Sequence, residues 1–337
     1  MFLKRQIHCS LVLCAVAFSA ANAYFEQGDA GQEVFSFMNT FDSPRNAALE
    51  KSASALPSAD PTISQLNPAA IRLPDGKERV VSMHWQTGDM AENQGSIFYT
   101  SQFRNIIYQV SYNWLDYGSI DGYDIYGDKT GKTYEPFSQL VTATAAFPMK
   151  HFDFGFSLKF ASDKLAEEEG DRMAYGAAFD WGISWQASSH LFGFSFMARD
   201  FGCLLQDYVD DGEDEFYPFG QTFAIGGFLR PKVLRRMTLF MENDFPRYAE
   251  PDLNLGLEYA LGSSFFVRAG FTRTWLDLKR DFFELTSSES RPDETNEARM
   301  LSAGLGYNSS LFSLDYAFSY LAQGMGMEHR IGLRVGF

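Results

Sequence analysis

The sequence predicts an all-β membrane protein, a fourteen-stranded antiparallel outer-membrane β-barrel with an N-terminal insert in its lumen. Apolar and polar residues alternate in segments of about 9 to 13 residues, the length that a tilted strand needs to cross a bilayer. The connections between these segments alternate between long and short. The chain also contains 33 Phe, 16 Tyr and 28 Gly, a composition typical of aromatic strands interrupted by glycine. A soluble β-sandwich, the alternative, has shorter strands and does not require this alternation of loop lengths.

Composition and charge exclude several classes of protein. The 337 residues are 45% hydrophobic and carry a net charge of -15. The hydrophobic content is sufficient for a large core, so a disordered chain is excluded. The excess of acids argues against a nucleic-acid partner, because phosphate binding needs clustered Lys and Arg. We therefore expect outer-membrane lipid around the barrel and no nucleic acid.

Residues 1–23 have the pattern of a secretory signal peptide. Lys4 and Arg5 form a basic start, residues 11–18 are apolar, and Ala21-Asn22-Ala23 is a small-residue cleavage site. The mature chain is then expected to start at Tyr24, with Cys203 as its one cysteine and no intrachain disulfide. Export to the outer membrane of a Gram-negative bacterium is the predicted location.

Fourteen strands are predicted between residues 79 and 337, which form the barrel. In the segment 151–161, Phe156 and Leu158 are expected to face lipid, whereas Ser157 and Lys159 are expected to face the lumen. The predicted strands are 79–85, 95–103, 105–114, 136–148, 151–161, 172–187, 190–200, 221–231, 235–245, 252–261, 263–275, 297–309, 311–321 and 328–337. An even number of strands is typical of bacterial single-chain barrels.

The long connections are expected outside the cell and the short ones in the periplasm. The long connections are 86–94, 115–135, 162–171, 201–220, 246–251, 276–296 and 322–327. Charge supports this orientation, because the short turns contain Arg104, Lys150 and Lys232. Loop 201–220, by contrast, has no base and six acids, namely Asp207, Asp210, Asp211, Glu213, Asp214 and Glu215.

Charged residues on the predicted lumen face do not form a recognisable catalytic or metal site. They are Asp153, Lys159, Asp180, Glu258, Arg268, Asp315, Arg330 and Arg334. The four histidines of the mature chain lie outside any Ser or carboxylate motif, so we do not expect an enzyme. The acids Asp121, Asp124 and Asp128 lack the spacing of a calcium-binding loop, so neither a metal nor another cofactor is expected.

The last predicted strand ends at Phe337, the final residue. A C-terminal Phe that closes an alternating strand resembles the signal that the barrel-assembly machinery recognises on outer-membrane proteins. This machinery is therefore an expected partner.

Residues 24–78 do not alternate and contain two short motifs. They are Ser43-Pro44-Arg45-Asn46-Ala47-Ala48-Leu49 and, after Asp60, Asn67-Pro68-Ala69. With the preceding Phe-x-Phe they resemble the PorV/PorQ family, nearer PorQ, over residues 33–71. Those proteins are fourteen-stranded outer-membrane barrels related to the FadL fatty-acid transporters and associated with type IX secretion. The resemblance implies a FadL-like barrel and assigns the motif to Ser43, Pro44, Arg45, Ala47, Ala48, Asn67, Pro68 and Ala69.

A plug-like insert is the expected role of residues 24–78. The wall side chains of a fourteen-stranded barrel cannot fill its lumen. The segment itself has few large apolar residues, among them Phe35, Phe37, Met38 and Leu66, which is too little for an independent core. We therefore expect it to start on the periplasmic side and to occupy the lumen before the first barrel strand.

Three functions compete, and the resemblance favours a non-enzymatic accessory or docking component of type IX secretion. Loop 201–220 is the candidate surface for secretion-system proteins or secreted cargo. Its candidate residues are Asp207, Asp210, Asp211, Glu213, Asp214, Glu215 and Tyr217. The alternative is a FadL-like channel for hydrophobic small molecules, which would need an apolar path through a lumen that the sequence predicts to be mostly polar. The third hypothesis is a mainly structural barrel.

Overall fold

A computed structural model describes residues 33–88, 93–165, 171–209, 218–286, 300–320 and 326–337. The predicted signal peptide, residues 1–23, lies outside the described residues. Within the described ranges, no helix combines the length and the apolar character that crossing a membrane requires.

The described residues form sixteen strands, fourteen of which close into one barrel. The strands are β1 Arg79–Gly88, β2 Asn93–Phe103, β3 Ile106–Asp116, β4 Ile120–Tyr123, β5 Lys129–Tyr134, β6 Phe137–Pro148, β7 Phe152–Lys164, β8 Ala174–Gln186, β9 Phe192–Gln206, β10 Thr222–Leu229, β11 Met237–Pro246, β12 Asp252–Leu261, β13 Phe265–Thr274, β14 Met300–Asn308, β15 Phe312–Tyr320 and β16 Met327–Gly336. The predicted fourteen-stranded antiparallel barrel is confirmed. Strands β4 and β5 form a separate hairpin within the long connection 115–135.

Each barrel strand pairs with its neighbours along the chain, and β1 closes the barrel against β16. The closing pair is antiparallel, with Val81 opposite Val335 and Trp85 opposite Ile331. Closure leaves the fourteen-stranded barrel without an unpaired edge, which is what a β-sheet in lipid requires. One end of the barrel carries the short turns and the other end the long connections. We call these the short-turn end and the long-loop end.

The burial pattern along the strands confirms which residues point outward and which point into the lumen. Along β7, Phe156 is 44% and Leu158 63% exposed, whereas Ser157 and Lys159 are buried. Aromatic side chains stack between strands on the outer surface, for example Phe156 and Phe179 with ring centroids 5.9 Å apart. Such cross-strand aromatic pairs stabilise neighbouring strands.

A β-bulge interrupts the pairing of β8 with β9, and it brings two consecutive charged residues into the lumen. The register shifts between Phe179 and Trp181, and both Arg199 and Asp200 are buried. Asp200 has a φ of 60°, the left-handed conformation often found at bulges. Lys159 Nζ lies 2.7 Å from Asp180 Oδ2 and 2.6 Å from Asp200 Oδ1, so the carboxylate introduced by the bulge is paired.

Residues 33–71, which we call the plug, lie inside the barrel. The plug contains a 3-10 turn at Ser36–Asn39, helix α1 at Pro44–Ala48, helix α2 at Ile63–Leu66 and a second 3-10 turn at Pro68–Ala70. Leu49, Ile63 and Ile71 are almost fully buried and share one apolar cluster with the wall residues Phe228 and Phe240. The plug and the barrel wall therefore form their apolar core together.

The first described part of the plug lies near the long loops, whereas residues 24–32, where the insert is expected to start, lie outside the described residues. Val34 pairs with Phe219, which belongs to the long connection 201–220, and Phe35 packs on Phe219 with ring centroids 5.3 Å apart. Residues 33–41 thus lie in the half of the lumen nearest the long loops. The chain then descends toward the short-turn end, where residues 72–78 join it to β1.

One further helix, α3 at Trp275–Thr286, follows β13 in a connection that the sequence analysis treated as a loop. Its first turns hold Asp277 and Asp281, which form ion pairs of 3.2 Å and 2.9 Å with the fully buried Arg273. The helix therefore compensates a charge at the rim of the barrel.

Candidate functional site

Eight glycines of the wall allow the plug to approach the strands closely. A Cβ atom at any of them would clash with the plug or leave it too little room. They are Gly155, Gly176, Gly182, Gly226, Gly256, Gly270, Gly304 and Gly332, on β7, β8, β10, β12, β13, β14 and β16. Because these strands are distributed between β7 and β16, the plug contacts the inner wall over most of its circumference.

The first motif shapes the start of helix α1. The hydroxyl of Ser43 accepts a hydrogen bond of 3.0 Å from the backbone N–H of Asn46, and Pro44 occupies the first helical turn. This is the usual N-cap arrangement. The same hydroxyl donates to Asp60 Oδ2 over 2.6 Å, and Asp60 Oδ1 accepts the backbone N–H of Thr62 over 3.0 Å. Asp60 therefore joins α1 to the segment that precedes α2.

The charge of Asp60 is stabilised inside the lumen. Burial raises the pKa of this carboxyl. The nearby Arg45 guanidinium and the hydrogen bond from Ser43 lower the pKa and outweigh burial, so the pKa lies below its ordinary value. Asp60 is thus a buried carboxylate whose charge contributes to the packing of the plug.

Arg45 connects the plug to the barrel wall. Its Nε and Nη2 donate to the two oxygens of Glu258 over 3.0 Å and 3.3 Å, a bidentate pair. Glu258 Oε2 also accepts Arg268 Nε over 2.7 Å, and Arg268 Nη1 donates to Asp315 Oδ1 over 2.5 Å. Beside this chain of charges, Ala47 and Ala48 pack on Ala317 of β15. Of the inward charges expected from the sequence, Glu258, Arg268 and Asp315 therefore belong to one buried network.

The second motif, Asn67-Pro68-Ala69, also caps a helical turn of the plug and connects it to the barrel wall, here near β7 and β8. Asn67 Oδ1 accepts the backbone N–H of Ala69 over 3.0 Å and so caps the 3-10 turn that begins at Pro68. The amide Nδ2 of Asn67 donates to the carbonyl of Ser54 over 3.0 Å and to Ser184 Oγ of the wall over 2.8 Å. All the motif residues are buried in the lumen. They determine the shape and the position of the plug and are not exposed to a partner protein.

The candidate acidic loop is described only in part. Asp210, Asp211, Glu213, Asp214, Glu215 and Tyr217 lie outside the described residues. The carbonyl of Asp207 accepts a hydrogen bond of 3.0 Å from Arg172 Nε, and the hydroxyl of Tyr208 donates to Asp163 Oδ2 over 2.7 Å. Tyr208 also lies against Phe35, so the described start of this loop contacts the plug.

Phe337 lies at the short-turn end and is 59% exposed. Its backbone N–H donates to the carbonyl of Arg79 over 2.9 Å, next to the point where β1 closes on β16. Its role as an assembly signal stays a prediction.

A cavity of about 390 Å³ lies on the long-loop side of the plug. Part of its lining is apolar and comes from the plug residues Met38, Phe41 and Leu66, together with Met300 of β14. Behind it, Phe35, Phe37 and Phe41 of the plug pack with wall residues in a second apolar cluster. The rest of the lining contains charged side chains together with neutral ones such as Gln65 and Thr272, so the cavity combines an apolar surface with ionised groups.

Of the charged residues of the cavity, the sequence analysis named Arg330 as a lumen-facing charge but did not name Glu33, Glu50 or Asp252. Asp252 could have been found, because strand alternation places it on the lumen face of β12. Glu33 and Glu50 lie in the plug, where no periodicity indicates the direction of a side chain. Among the described residues, no group of three His, Cys, Asp or Glu side chains could hold a metal ion.

Three solved structures share this architecture at low sequence identity. The toluene transporter TodX of Pseudomonas putida has a TM-score of 0.57 and 12% identity, with 88% of this chain and 97% of TodX covered. The toluene transporter TbuX of Ralstonia pickettii has a TM-score of 0.60 and 12% identity, with 90% and 100% covered. The CymD monoaromatic hydrocarbon channel has a TM-score of 0.61 and 10% identity, with 88% and 98% covered.

No protein-family profile matches the chain, and no curated protein sequence matches it either. The structural similarities establish the fold, a FadL-like antiparallel barrel of fourteen strands preceded by a helical N-terminal segment. At identities of 10% to 12%, these similarities support the fold and no conclusion beyond it. The finer assignment to the PorV/PorQ family remains a prediction from residues 33–71.

Proposed function

We propose that this protein is a non-enzymatic channel of the bacterial outer membrane that admits small organic molecules from the long-loop end. The observation that carries the proposal is the cavity of about 390 Å³ above the plug, which lies within the usual range for ligand pockets, about 300–1,000 Å³. Met38, Phe41 and Leu66 give it a surface for an apolar molecular body. The similar structures are described as transporters of toluene or channels for monoaromatic hydrocarbons, which supports the same general class.

The plug separates this cavity from the short-turn end, so passage requires part of the plug to move. The segment that contributes Met38 and Phe41 to the cavity is held by Lys51, whose Nζ lies 3.1 Å from Asp42 Oδ2 and donates to the carbonyl of Asn39. The Lys51 side chain is 35% exposed, and a partly solvated ion pair of this kind contributes little stability, about 0–1 kcal/mol. Helix α1, in contrast, is held by the buried Arg45–Glu258 pair.

Uptake in cells tests the proposal. A Gram-negative strain that lacks its general porins would express the protein, and uptake of radiolabelled 2-phenylethanol would be compared with an empty-vector strain. We expect faster uptake with the protein, and we expect Met38→Trp to reduce that gain because the indole fills the cavity. Met149→Trp, at a residue that is 54% exposed in a short turn, is the matched control. Equal uptake by the expressing and empty-vector strains would refute the channel.

A second candidate function is docking in type IX secretion, which the resemblance over residues 43–48 and 67–69 favours. These residues lie inside the barrel, so the resemblance supports a plug of the kind found in that family. A docking surface would have to be in the long loops instead. Replacing Asp210, Asp211, Glu213, Asp214 and Glu215 by Ser or Asn should then weaken co-purification of secretion proteins or cargo. The effect should shrink at high salt, where the field of the wild-type acids is already screened. Unchanged recovery at low salt would remove this loop as a docking surface.

A further inference from the structure

The lining of the lumen cavity carries more negative than positive side chains. It contains six acids and three bases, namely Glu33, Asp42, Glu50, Asp244, Asp252 and Glu328 with Lys51, Arg199 and Arg330. Each base is already paired with one of the acids. Arg199 Nη2 lies 2.8 Å from Asp244 Oδ1, and Arg330 Nη2 lies 2.6 Å from Glu328 Oε2. The third pair is Lys51 with Asp42. Glu33, Glu50 and Asp252 thus form no ion pair among the described residues.

Asp252 is the carboxylate that most clearly lacks a cation. It is directly opposite Asp244 in the register of β11 and β12, so both side chains point to the same face of the sheet. Like charges at directly opposed positions are destabilising. Asp244 is compensated by Arg199 and also accepts Asn254 Nδ2 over 3.1 Å. The other cross-strand neighbour of Asp252 is Thr274, which has no charge.

The other two unpaired carboxylates extend the negative surface along the cavity. Glu33 Oε2 is buried and has no hydrogen-bond partner among the described residues. Glu50 accepts hydrogen bonds from the hydroxyls of Ser302 and Thr272. Burial nevertheless raises the pKa of Glu50, because the hydroxyls only partly replace the lost hydration. A cation in the cavity would therefore stabilise the ionised form of more than one acid.

The arrangement favours an organic cation over a metal ion. No three acids of the described residues approach one another closely enough for metal binding, whereas Met38, Phe41 and Leu66 offer an apolar surface beside them. We infer that the cavity selects small amines, with Asp252 as the carboxylate that receives the ammonium group and the plug residues in contact with the apolar body. This inference rests on the proposed function of the cavity as an entry site for small molecules.

Binding to the purified full-length protein in detergent micelles tests the inference. Isothermal titration calorimetry would compare 2-phenylethylamine with 2-phenylethanol, two probes of similar size and shape of which only the amine is charged at pH 7. We expect the amine to bind at least about tenfold more tightly, as expected for a partly buried charge pair. Asp252→Asn should remove this preference and Asp252→Glu should retain it. Asp75→Asn, at an exposed aspartate outside the cavity, should leave the preference unchanged.

Equal affinity for the two probes, or an unchanged preference in Asp252→Asn, would overturn the inference. The ratio of the affinities of the wild-type protein for 2-phenylethylamine and 2-phenylethanol tests the inference without any variant. Heat-modifiable migration in gels checks that each variant is folded. Failure of the proposed channel function would be seen in a different experiment, because cells that express the protein would then take up 2-phenylethanol no faster than the empty-vector strain. Uptake of the alcohol without preferential binding of the amine would leave the proposed function intact and reject only the amine selectivity.

Discussion

At the scale of single residues, charged groups inside the barrel have partners that are distant in the chain. Arg45 forms an ion pair with Glu258, and Glu50 accepts a hydrogen bond from Ser302, contacts that join residues more than 200 positions apart. Burying a charge is costly unless it is paired and hydrogen-bonded. The buried networks therefore specify one position for the plug, because any displacement would leave several charges without partners.

Asp60 provides a pH-dependent test of this packing. Its pKa in the folded protein is lowered below the ordinary 3.8. Its charge therefore contributes stability above pH 3.8, and this contribution is lost as the pH falls below 3.8 and through the lower pKa of the folded state. We expect the free energy of unfolding, measured by urea titration in lipid vesicles, to fall more steeply below pH 3.8 for the wild type than for Asp60→Asn. Parallel pH profiles for the two proteins would contradict the assigned role of Asp60.

Phe156 provides a test of the lipid-facing surface. Phe156→Arg should lower the free energy of unfolding by about 2–4 kcal/mol, because the substitution places a cation near the bilayer midplane. Ile125→Arg, at a residue 91% exposed in the turn between β4 and β5, should have almost no effect. Urea titration of the protein refolded in lipid vesicles measures both changes. Equal losses would mean that the assigned lipid face is wrong.

At the scale of elements, the plug and the strands are matched by the glycines that face the lumen. Gly155 of β7 lies against the backbone of Pro68 and Ala69, which cannot move aside like the end of a long side chain. The bulge in β9 is a second such adjustment, because it brings both Arg199 and Asp200 into the lumen. Arg199 then pairs with Asp244 at the cavity, so a local irregularity of one strand shapes the candidate site.

Gly155→Ala tests the fit of the plug. The added methyl group would overlap the Pro68–Ala69 peptide, so we expect a loss of about 1–3 kcal/mol of stability, typical of overpacking. We also expect faster protease cleavage within the plug. Gly227→Ala is the matched control, because its Cβ would have no neighbour nearer than 3.5 Å. Similar stability of the two variants would argue against close packing of plug and wall.

At the scale of the whole molecule, the barrel has two different ends. The long-loop end carries the β4–β5 hairpin and helix α3, and the cavity lies on that side of the plug. The short-turn end carries Phe337 and the basic turns, including Lys232. The proposed channel works only if the long-loop end faces the outside, since the cavity lies on that side of the plug.

Cysteine labelling in intact cells tests this orientation. In a Cys203→Ser background, Tyr126→Cys, at a residue 84% exposed in the hairpin turn, should react with a membrane-impermeant maleimide. Val233→Cys, at a residue 93% exposed in a short turn, should react only after the outer membrane is permeabilised. Labelling of Val233→Cys but not Tyr126→Cys in intact cells would reverse the orientation.

The sequence by itself determined the number of barrel strands, their order and the face that most of their side chains occupy outside the bulge in β9. These properties follow from a two-residue period and from the length of each connection, which are local patterns that can be read segment by segment. The β4–β5 hairpin and α3 were missed, because both are short elements inside connections where no long periodicity marks them. Ser157 shows the limit of the same pattern. Its lumen-facing position suggests tolerance to a polar substitution, yet it is 1% exposed and hydrogen-bonded to Thr144, so an arginine has no room there.

Only the tertiary structure decided the course of the plug, the pairing of its charges and the existence of the cavity. The motif residues around Ser43 and Asn67 could be found in the sequence, but their pairing with Asp60, Glu258 and Ser184 could not. Residues 33–71 lack a repeating pattern, and their conformation depends on glycines and charges of the wall that are distant in the chain. A closed barrel brings these groups together within a lumen of limited width. The candidate site therefore exists only after the strands have closed around the plug.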